Sequence, residues 1–228
     1  MIEAALDTSY GISLAVTEDG ELIFEASAPF ERRASDAVLV PWIEDRFMEA
    51  GIALAHVTRW TVGTGPGSFT GLRCGIAFIK GVCLQSAAVC RGIPSSLPVA
   101  ARALEHHPDA TDIVTLHDAR RQQVITTRFL VTGECLTVQG EPTVVNARDV
   151  SAATAGATVF ATAHRNEIGE SLPAAVAADT VCLDHITARL LINPVGWDWP
   201  PYDALEPTLK PVYVRPAVFV EPRPLKSI

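Results

Sequence analysis

Several signatures are absent from this chain, and each absence removes a class of function. The five cysteines, Cys74, Cys83, Cys90, Cys135 and Cys182, include no Cys-x-x-Cys pair. An odd number without paired spacing reads as reduced thiols used as small core residues, not as a disulfide framework. None of the six histidines stands three or four residues from another, and there is no His-Glu-x-x-His, so no metal is expected. No run of about 20 residues is apolar enough to span a bilayer. The stretch Met1–Asp7 has no basic region ahead of an apolar one, so no signal peptide and a cytoplasmic location are expected. Basic surface is also scarce. The formal net charge is −8, and the densest basic stretch is Arg120-Arg121. A protein that grips nucleic acid by itself needs a basic face to displace counterions, so only non-specific binding is expected of the isolated chain.

What is present is an α/β pattern that occurs twice. Ile2–Leu6 is short and apolar, Ile12–Thr17 alternates, Glu18-Asp19-Gly20-Glu21 is a hairpin turn, and Leu22–Ala26 is the next strand. Between the first two lies the polar turn Asp7-Thr8-Ser9-Tyr10-Gly11. From Ser35 the period becomes helical through Val38, Leu39, Trp42, Ile43 and Phe47, with Gly51 at the C-cap position. A strand at Arg59–Val62, a glycine-rich loop, a helix from Thr70 to Ser86 and a further helix to Leu104 complete the first half. The second half begins in the same way. Ile113–Leu116, the polar turn from Asp118 and Val124–Val131 repeat the opening hairpin, with Asp118 lying 111 residues after Asp7, close to half of 228. The polar, proline-broken stretch 105–109 sets a boundary, giving expected units of 1–104 and 105–228. Later expected elements are Leu136–Val138, Thr143–Val145, a short helix capped by Asn146, Thr158–Thr162, a helix near Asp179–Ile192, and a closing strand at Pro211–Arg215.

The glycine-rich loop is the most unusual passage: Gly65, Pro66, Gly67, Ser68, Phe69, Thr70 and Gly71, with Arg73 close behind. Strand, glycine-rich turn and helix form the setting of phosphate loops. Yet no Lys-Ser/Thr follows the glycines, Gly-x-Gly-x-x-Gly is missing, and Pro66 breaks any Gly-x-Ser-x-Gly elbow. Pro66-Gly67 also suits the centre of a type II turn. Asp7, Thr8 and Ser9 read either as a remnant phosphate-binding turn or as an Asp bonded to its own turn amides. His117 beside Asp118 admits an acid/base couple or a structural histidine. The helix after the loop has Arg73, Lys80 and Gln85 as its strongly polar side chains. A helix so apolar is expected to be covered on two sides. Gly71 and Gly75 form one candidate contact stripe, and Leu72, Ile76, Ile79 and Cys83 a second. Together with Val38, Leu39 and Trp42, these residues make the expected partner interface.

Asp7-Thr8-Ser9, the string Gly65-Pro66-Gly67-Ser68-Phe69-Thr70-Gly71-Leu72-Arg73 with Gly75 and Lys80-Gly81, Asp118-Ala119-Arg120-Arg121, and Pro211-Val212-Tyr213-Val214-Arg215 together resemble the TsaB (YeaZ-type) family. The resemblance implies two tandem actin-like (RNase H-like) units, with mixed sheets flanked by helices. It implies a non-catalytic scaffold without cofactor, paired with the threonylcarbamoyl transferase TsaD and the ATPase TsaE. The complex forms threonylcarbamoyl-adenosine next to the tRNA anticodon, so tRNA is met only through it, and a homodimer is expected of the chain alone. Ser95–Ala100 lies where the catalytic paralogue carries its metal-binding histidines, and no His stands there. The segment 195–201 with Trp197 and Trp199, Ala34 in place of a His, and Ala161–Arg165 without a glycine-rich turn depart from the family pattern. Two other functions remain open to the sequence: a stand-alone actin-like ATPase or small-molecule kinase, and a structural homodimer. A protease lacks its nucleophile–base pair.

Overall fold

The computed structural model describes residues 1–28, 35–133, 135–192, 202 and 209–214. The strands are β1 (Ile2–Asp7), β2 (Ile12–Glu18), β3 (Glu21–Ala28), β4 (Val57–Gly63), β5 (Val89–Ile93), β6 (Asp112–Asp118), β7 (Gln123–Thr132), β8 (Cys135–Asn146), β9 (Val159–Thr162) and β10 (Thr180–Cys182). The helices are α1 (Ser35–Glu49), α2 (Phe69–Ser86), α3 (Ser96–His106), α4 (Val150–Ala153), α5 (Arg165–Ile168), α6 (Ala174–Ala178) and α7 (Arg189–Ile192). Two five-stranded sheets result, ordered β3-β2-β1-β4-β5 and β10-β9-β6-β7-β8. Read from its hairpin, each sheet has one plan. An antiparallel meander (β1–β3, β6–β8) gains two parallel strands beside its first strand. Asp7 and Asp118 each end the first strand of their sheet. The duplication expected from the hairpins is therefore a duplication of topology.

Alternation along the strands distributes side chains between layers. Ala4 and Leu6 of β1 and Ile12, Leu14 and Val16 of β2 join a cluster with Leu39, Ile43 and Phe47 of α1 and Ile76, Ile79 and Cys83 of α2. Ala5 and Ala15 point the other way, into a central cluster with α3, Ile113 and Phe129 of the second sheet, and α7. Val114 and Leu116 of β6 face a third cluster with Val150, Ile168 and Val176. The central cluster draws on both sheets, so the two units share apolar burial.

The structure corrects four expectations. Residues 179–192 are not one helix. Thr180–Cys182 adds β10 in parallel to β9, and helix returns only at Arg189; a sheet edge that gains a partner outweighs a weak helical period. The two strands expected over 136–145 are the single strand β8, whose pairing with β7 shifts register near Thr126/Arg128. Asn146 makes no cap bond; its amide donates to Asp149 Oδ2 at 3.1 Å. Residues 211–214 form no strand. They lie against the first unit, where Val212 N donates to Thr64 O at 2.8 Å and Leu209 is buried in the α1/α2 cluster. The Trp197/Trp199 segment and Ala34 lie outside the described residues. No described helix is long and apolar enough to cross a membrane.

Candidate functional site

Asp7 is placed by the end of β1, and both its carboxylate oxygens are used inside the protein. Oδ1 accepts from Ser9 N at 2.8 Å and Ser9 Oγ at 2.5 Å, and Oδ2 accepts from Ser95 Oγ at 2.5 Å. Ser95 Oγ also accepts from Gly65 N at 2.9 Å, while Ser95 N donates to Gly65 O at 2.7 Å and Ser68 N to Ser9 O at 2.8 Å. Asp7 therefore ties together β1, the loop before α3 and the glycine-rich loop. Burial pushes its carboxyl above the usual range, and the bonds from Ser9 and Ser95 pull the other way. Nothing in the sequence pointed to Ser95 as a partner, because it lies 88 residues from Asp7.

The glycines of the loop make room for this turn. A Cβ on Gly63 would stand 1.8 Å from Asp7 Oδ2, one on Gly67 2.5 Å from Ser9 Cβ, and one on Gly75 2.3 Å from Thr8 Oγ1. The loop is not a type II turn: the Gly65–Pro66 peptide is cis, and the positive φ falls on Gly65, at +97°. Glycine at 67 serves close approach. Asp7, Thr8 and Ser9 are each at most 1% exposed, so a phosphate could reach them only if the loop moved away.

Ser68 caps α2, accepting from Gly71 N at 3.2 Å, and Ala87 ends it in the left-handed region. Of the two candidate stripes, one is expected to face the sheet and the other a partner, and both turn inward. Leu72, Ile76, Ile79 and Cys83 are buried on the sheet, and Gly71 and Gly75 are buried too, with Gly75 against Thr8. Leu39 of α1 is buried as well, Trp42 is half-buried, and Val38 is exposed. The physical reason is the closeness of the Asp7 turn, which occupies the room the small residues leave. The outward face of α2 carries Thr70, Arg73, Ala77, Gly81 and Leu84. Phe69 stands at its start, with Arg73 over its ring at 3.7 Å, and Arg73 Nε donates to Tyr213 Oη at 2.9 Å.

The two orientations can be separated by substitution. Gly75→Ala drives a methyl into Thr8 and is expected to cost about 1–3 kcal/mol, as overpacking does. Gly81→Ala meets nothing within 4 Å and is expected to stabilise by up to about 1 kcal/mol through helix propensity. Urea unfolding midpoints of the two variants check both signs.

The turn of the first hairpin joins the units. Tyr10, next to the Asp7 turn, donates its hydroxyl to both oxygens of Glu167 at 2.9 Å. Its ring packs on His164 with centroids 4.1 Å apart, and His164 Nε2 lies 3.4 Å from His117 Nδ1. Burial lowers His117 to about 4 and holds His164 well below its ordinary value, with His117 and Arg120 adding to the effect on His164. Burial and Glu167 raise Tyr10 to about 12. His117 does not couple to Asp118: neighbours on a strand point to opposite faces, and Asp118 pairs with Arg120 at 3.2 Å. His117 and His164 are 47 residues apart, so no local pattern announced them. Among the described residues no group of three or more His, Cys, Asp or Glu side chains is placed to hold a metal ion.

Comparison with known proteins bears on the fold and the family. A family model described as TsaD, tRNA N6-adenosine threonylcarbamoyltransferase, matches residues 30–182. The tRNA threonylcarbamoyladenosine biosynthesis protein TsaB of Escherichia coli is 31% identical over 123 residues, 53% of this chain and 51% of that protein. Its namesake in Haemophilus influenzae is 31% identical over 121 residues, covering 53% and 50%. The aligned region thus spans about half the length of these curated relatives. YeaZ from Pseudomonas aeruginosa has a TM-score of 0.64 at 24% identity, over 84% of this chain and 88% of that one. A second Pseudomonas aeruginosa structure, described as similar to peptidase YeaZ, has a TM-score of 0.71 at 24% identity, over 94% and 99%. At this identity the two structures speak for the fold, which is a pair of tandem actin-like units. Through the model that covers residues 30–182 the chain belongs to the TsaD family, and the curated relatives it resembles are TsaB proteins.

Proposed function

We propose that this protein is a scaffold subunit without catalysis of its own, which docks a TsaD-type threonylcarbamoyl transferase in the pathway to threonylcarbamoyl-adenosine in tRNA. The observation that carries the reading is the outward surface of α1 and α2. Val38, Val40, Met48, Phe69 and Leu84 are large apolar side chains between 40% and 73% exposed on these two helices. Large apolar side chains left exposed on two helices that pack together suit an association surface. The polar residues around them suit a partner of similar fold: Glu44, Asp45 and Glu49 lie exposed on α1, and Arg73 lies exposed on α2. One α1 can therefore face another α2, in a second copy or in the paralogue. Catalytic silence is supported by the Asp7 turn, whose carboxylate is spent on Ser9 and Ser95. TsaE and tRNA enter only through the assembled complex, in the cytoplasm.

The test is co-expression with the TsaD-type and TsaE-type proteins of the source cell. The paralogue should co-purify stoichiometrically, and the isolated chain should make no threonylcarbamoyl-adenosine. Failure to pair, or product formation by the chain alone, overturns the proposal.

A further inference from the structure

Residues beyond the second unit are fastened to the first one on both faces of β4. The Tyr202 hydroxyl shares a hydrogen bond with Thr61 at 3.1 Å, and its ring lies 4.1 Å from the Arg91 guanidinium. Successive strand residues face opposite ways, and on the other face Leu209 is buried with Trp60 and Val62. Val212 N then donates to Thr64 O at 2.8 Å. Residues held in this way are a fixed part of the fold and not a lid that swings clear.

These fastenings deliver Tyr213 to the first turn of α2. Its ring lies 5.3 Å from that of Phe69, and its hydroxyl accepts from Arg73 Nε at 2.9 Å. The Arg73 guanidinium stacks 3.7 Å over Phe69. The three side chains hold one another in place, yet Phe69 is 53% and Tyr213 48% exposed. The terminal amino groups of Arg73 have no partner among the described residues. Tyr and Arg are the side chains that most often carry binding energy at interfaces, and ordering them beforehand removes part of the entropic cost. A guanidinium held with its amino groups free suits a carboxylate.

This chain carries such a carboxylate in a matching setting. Asp45 is exposed on α1, and its spacing from Val38 and Met48 puts all three on one outward face. Its neighbour Glu49 is already paired with Arg46 at 2.7 Å, while Asp45 has no partner among the described residues. In a two-fold pair the contact is made twice, with Arg73 of each copy meeting Asp45 of the other.

We propose that Tyr213, Arg73 and Phe69 form the anchoring contact of a two-fold pair of this chain, receiving Asp45 and its apolar neighbours on α1 of a second copy. The inference rests on the reading of the α1/α2 face as an association surface, and adds to that surface a component from residues beyond the second unit.

Sedimentation velocity of the full-length chain by itself reads the pairing, and the natural chain should run as a dimer. Arg73→Glu and Asp45→Arg should each weaken pairing about tenfold or more, because each sets like charges against one another at both contacts. Mixed together, the two variants should pair again, since each offers the other an opposite charge twice. Tyr213→Ala should weaken pairing about tenfold through loss of the ring and release of Arg73, with a nearly unchanged unfolding midpoint. If Tyr213→Ala fails to fold, the charge exchange decides. Failure of the mixed variants to pair overturns the proposal, as does wild-type pairing by a folded Tyr213→Ala protein. A chain that is monomeric by itself but binds the transferase overturns it too, and leaves the scaffold reading standing. Pairing as described without any binding of the transferase supports it and overturns the scaffold reading.

Discussion

Ile76→Asp is expected to unfold the protein, while Leu84→Asp, two turns further along the same helix, should leave its melting temperature in place and abolish pairing. Ile76 is 6% exposed in the cluster beneath α2, whereas Leu84 is 69% exposed. A charge forced into the Ile76 position has no partner, and an uncompensated buried charge costs roughly 3–5 kcal/mol. That is comparable to the whole stability of a marginal domain, ~5–15 kcal/mol. At Leu84 the same carboxylate is hydrated in the free protein, where surface changes stay within about 0.5 kcal/mol. On association it would be desolvated, and a penalty of roughly 3–5 kcal/mol corresponds to at least a hundredfold loss of affinity, at ~1.4 kcal/mol per tenfold. Thermal melting and sedimentation velocity read the two effects separately. Wild-type association by a folded Leu84→Asp protein would remove α2 from the interface.

Acid should destabilise the protein well before its ordinary carboxylates titrate. His117 is held neutral, with a folded value of about 4 against 6.5 when unfolded. The unfolded chain therefore takes up a proton first as pH falls, and stability drops wherever the unfolded state binds more protons. The loss begins near pH 6.5 and is complete below about 4, amounting to about 3 kcal/mol at ~1.36 kcal/mol per pKa unit. His164, lowered as well, adds in the same direction, and the hydrogen-bonded pair titrates together. Asp7 acts in the opposite sense. Its raised carboxyl favours the folded state at low pH, and that contribution fades as pH rises through its folded value. Its window runs upward from 3.8, so Asp7 offsets part of the histidine effect, and the comparison with a histidine variant isolates the histidine part. Urea midpoints between pH 6.5 and about 4 should fall steeply for the natural chain and more gently for His117→Gln. Equal slopes would show that the pair does not govern acid stability.

The sequence made the fold legible where local chemistry suffices. The Asp-Gly turn, the polar turns after Leu6 and His117, and the glycine-rich string before α2 each constrain the backbone within a few residues. Topology followed from the repetition of one hairpin 111 residues later. The candidate site was less legible, for a physical reason. On α2 both visible patterns, the small stripe of Gly71 and Gly75 and the apolar stripe of Leu72, Ile76, Ile79 and Cys83, are core features. The outward face is left to Ala77, Gly81 and Leu84, too sparse to stand out in hydropathy. Ser95, Tyr10 and His164 escaped notice because their partners come from 47 to 157 residues away. The left-handed run Arg120–Gln122 was equally hidden, since none of these residues is glycine.

The return of residues 209–214 to the first unit has a consequence for how the chain is made. Leu209 is 2% exposed in the α1/α2 cluster, and Val212 caps the Thr64 carbonyl at the exit of β4. Domains ordinarily fold in order of synthesis, the N-terminal one first. Here the first unit lacks part of its apolar packing until the residues beyond the second unit have been translated. On the ribosome it waits as an incomplete body with its α1/α2 cluster short of Leu209, and its maturation is timed by the translation of its last stitch.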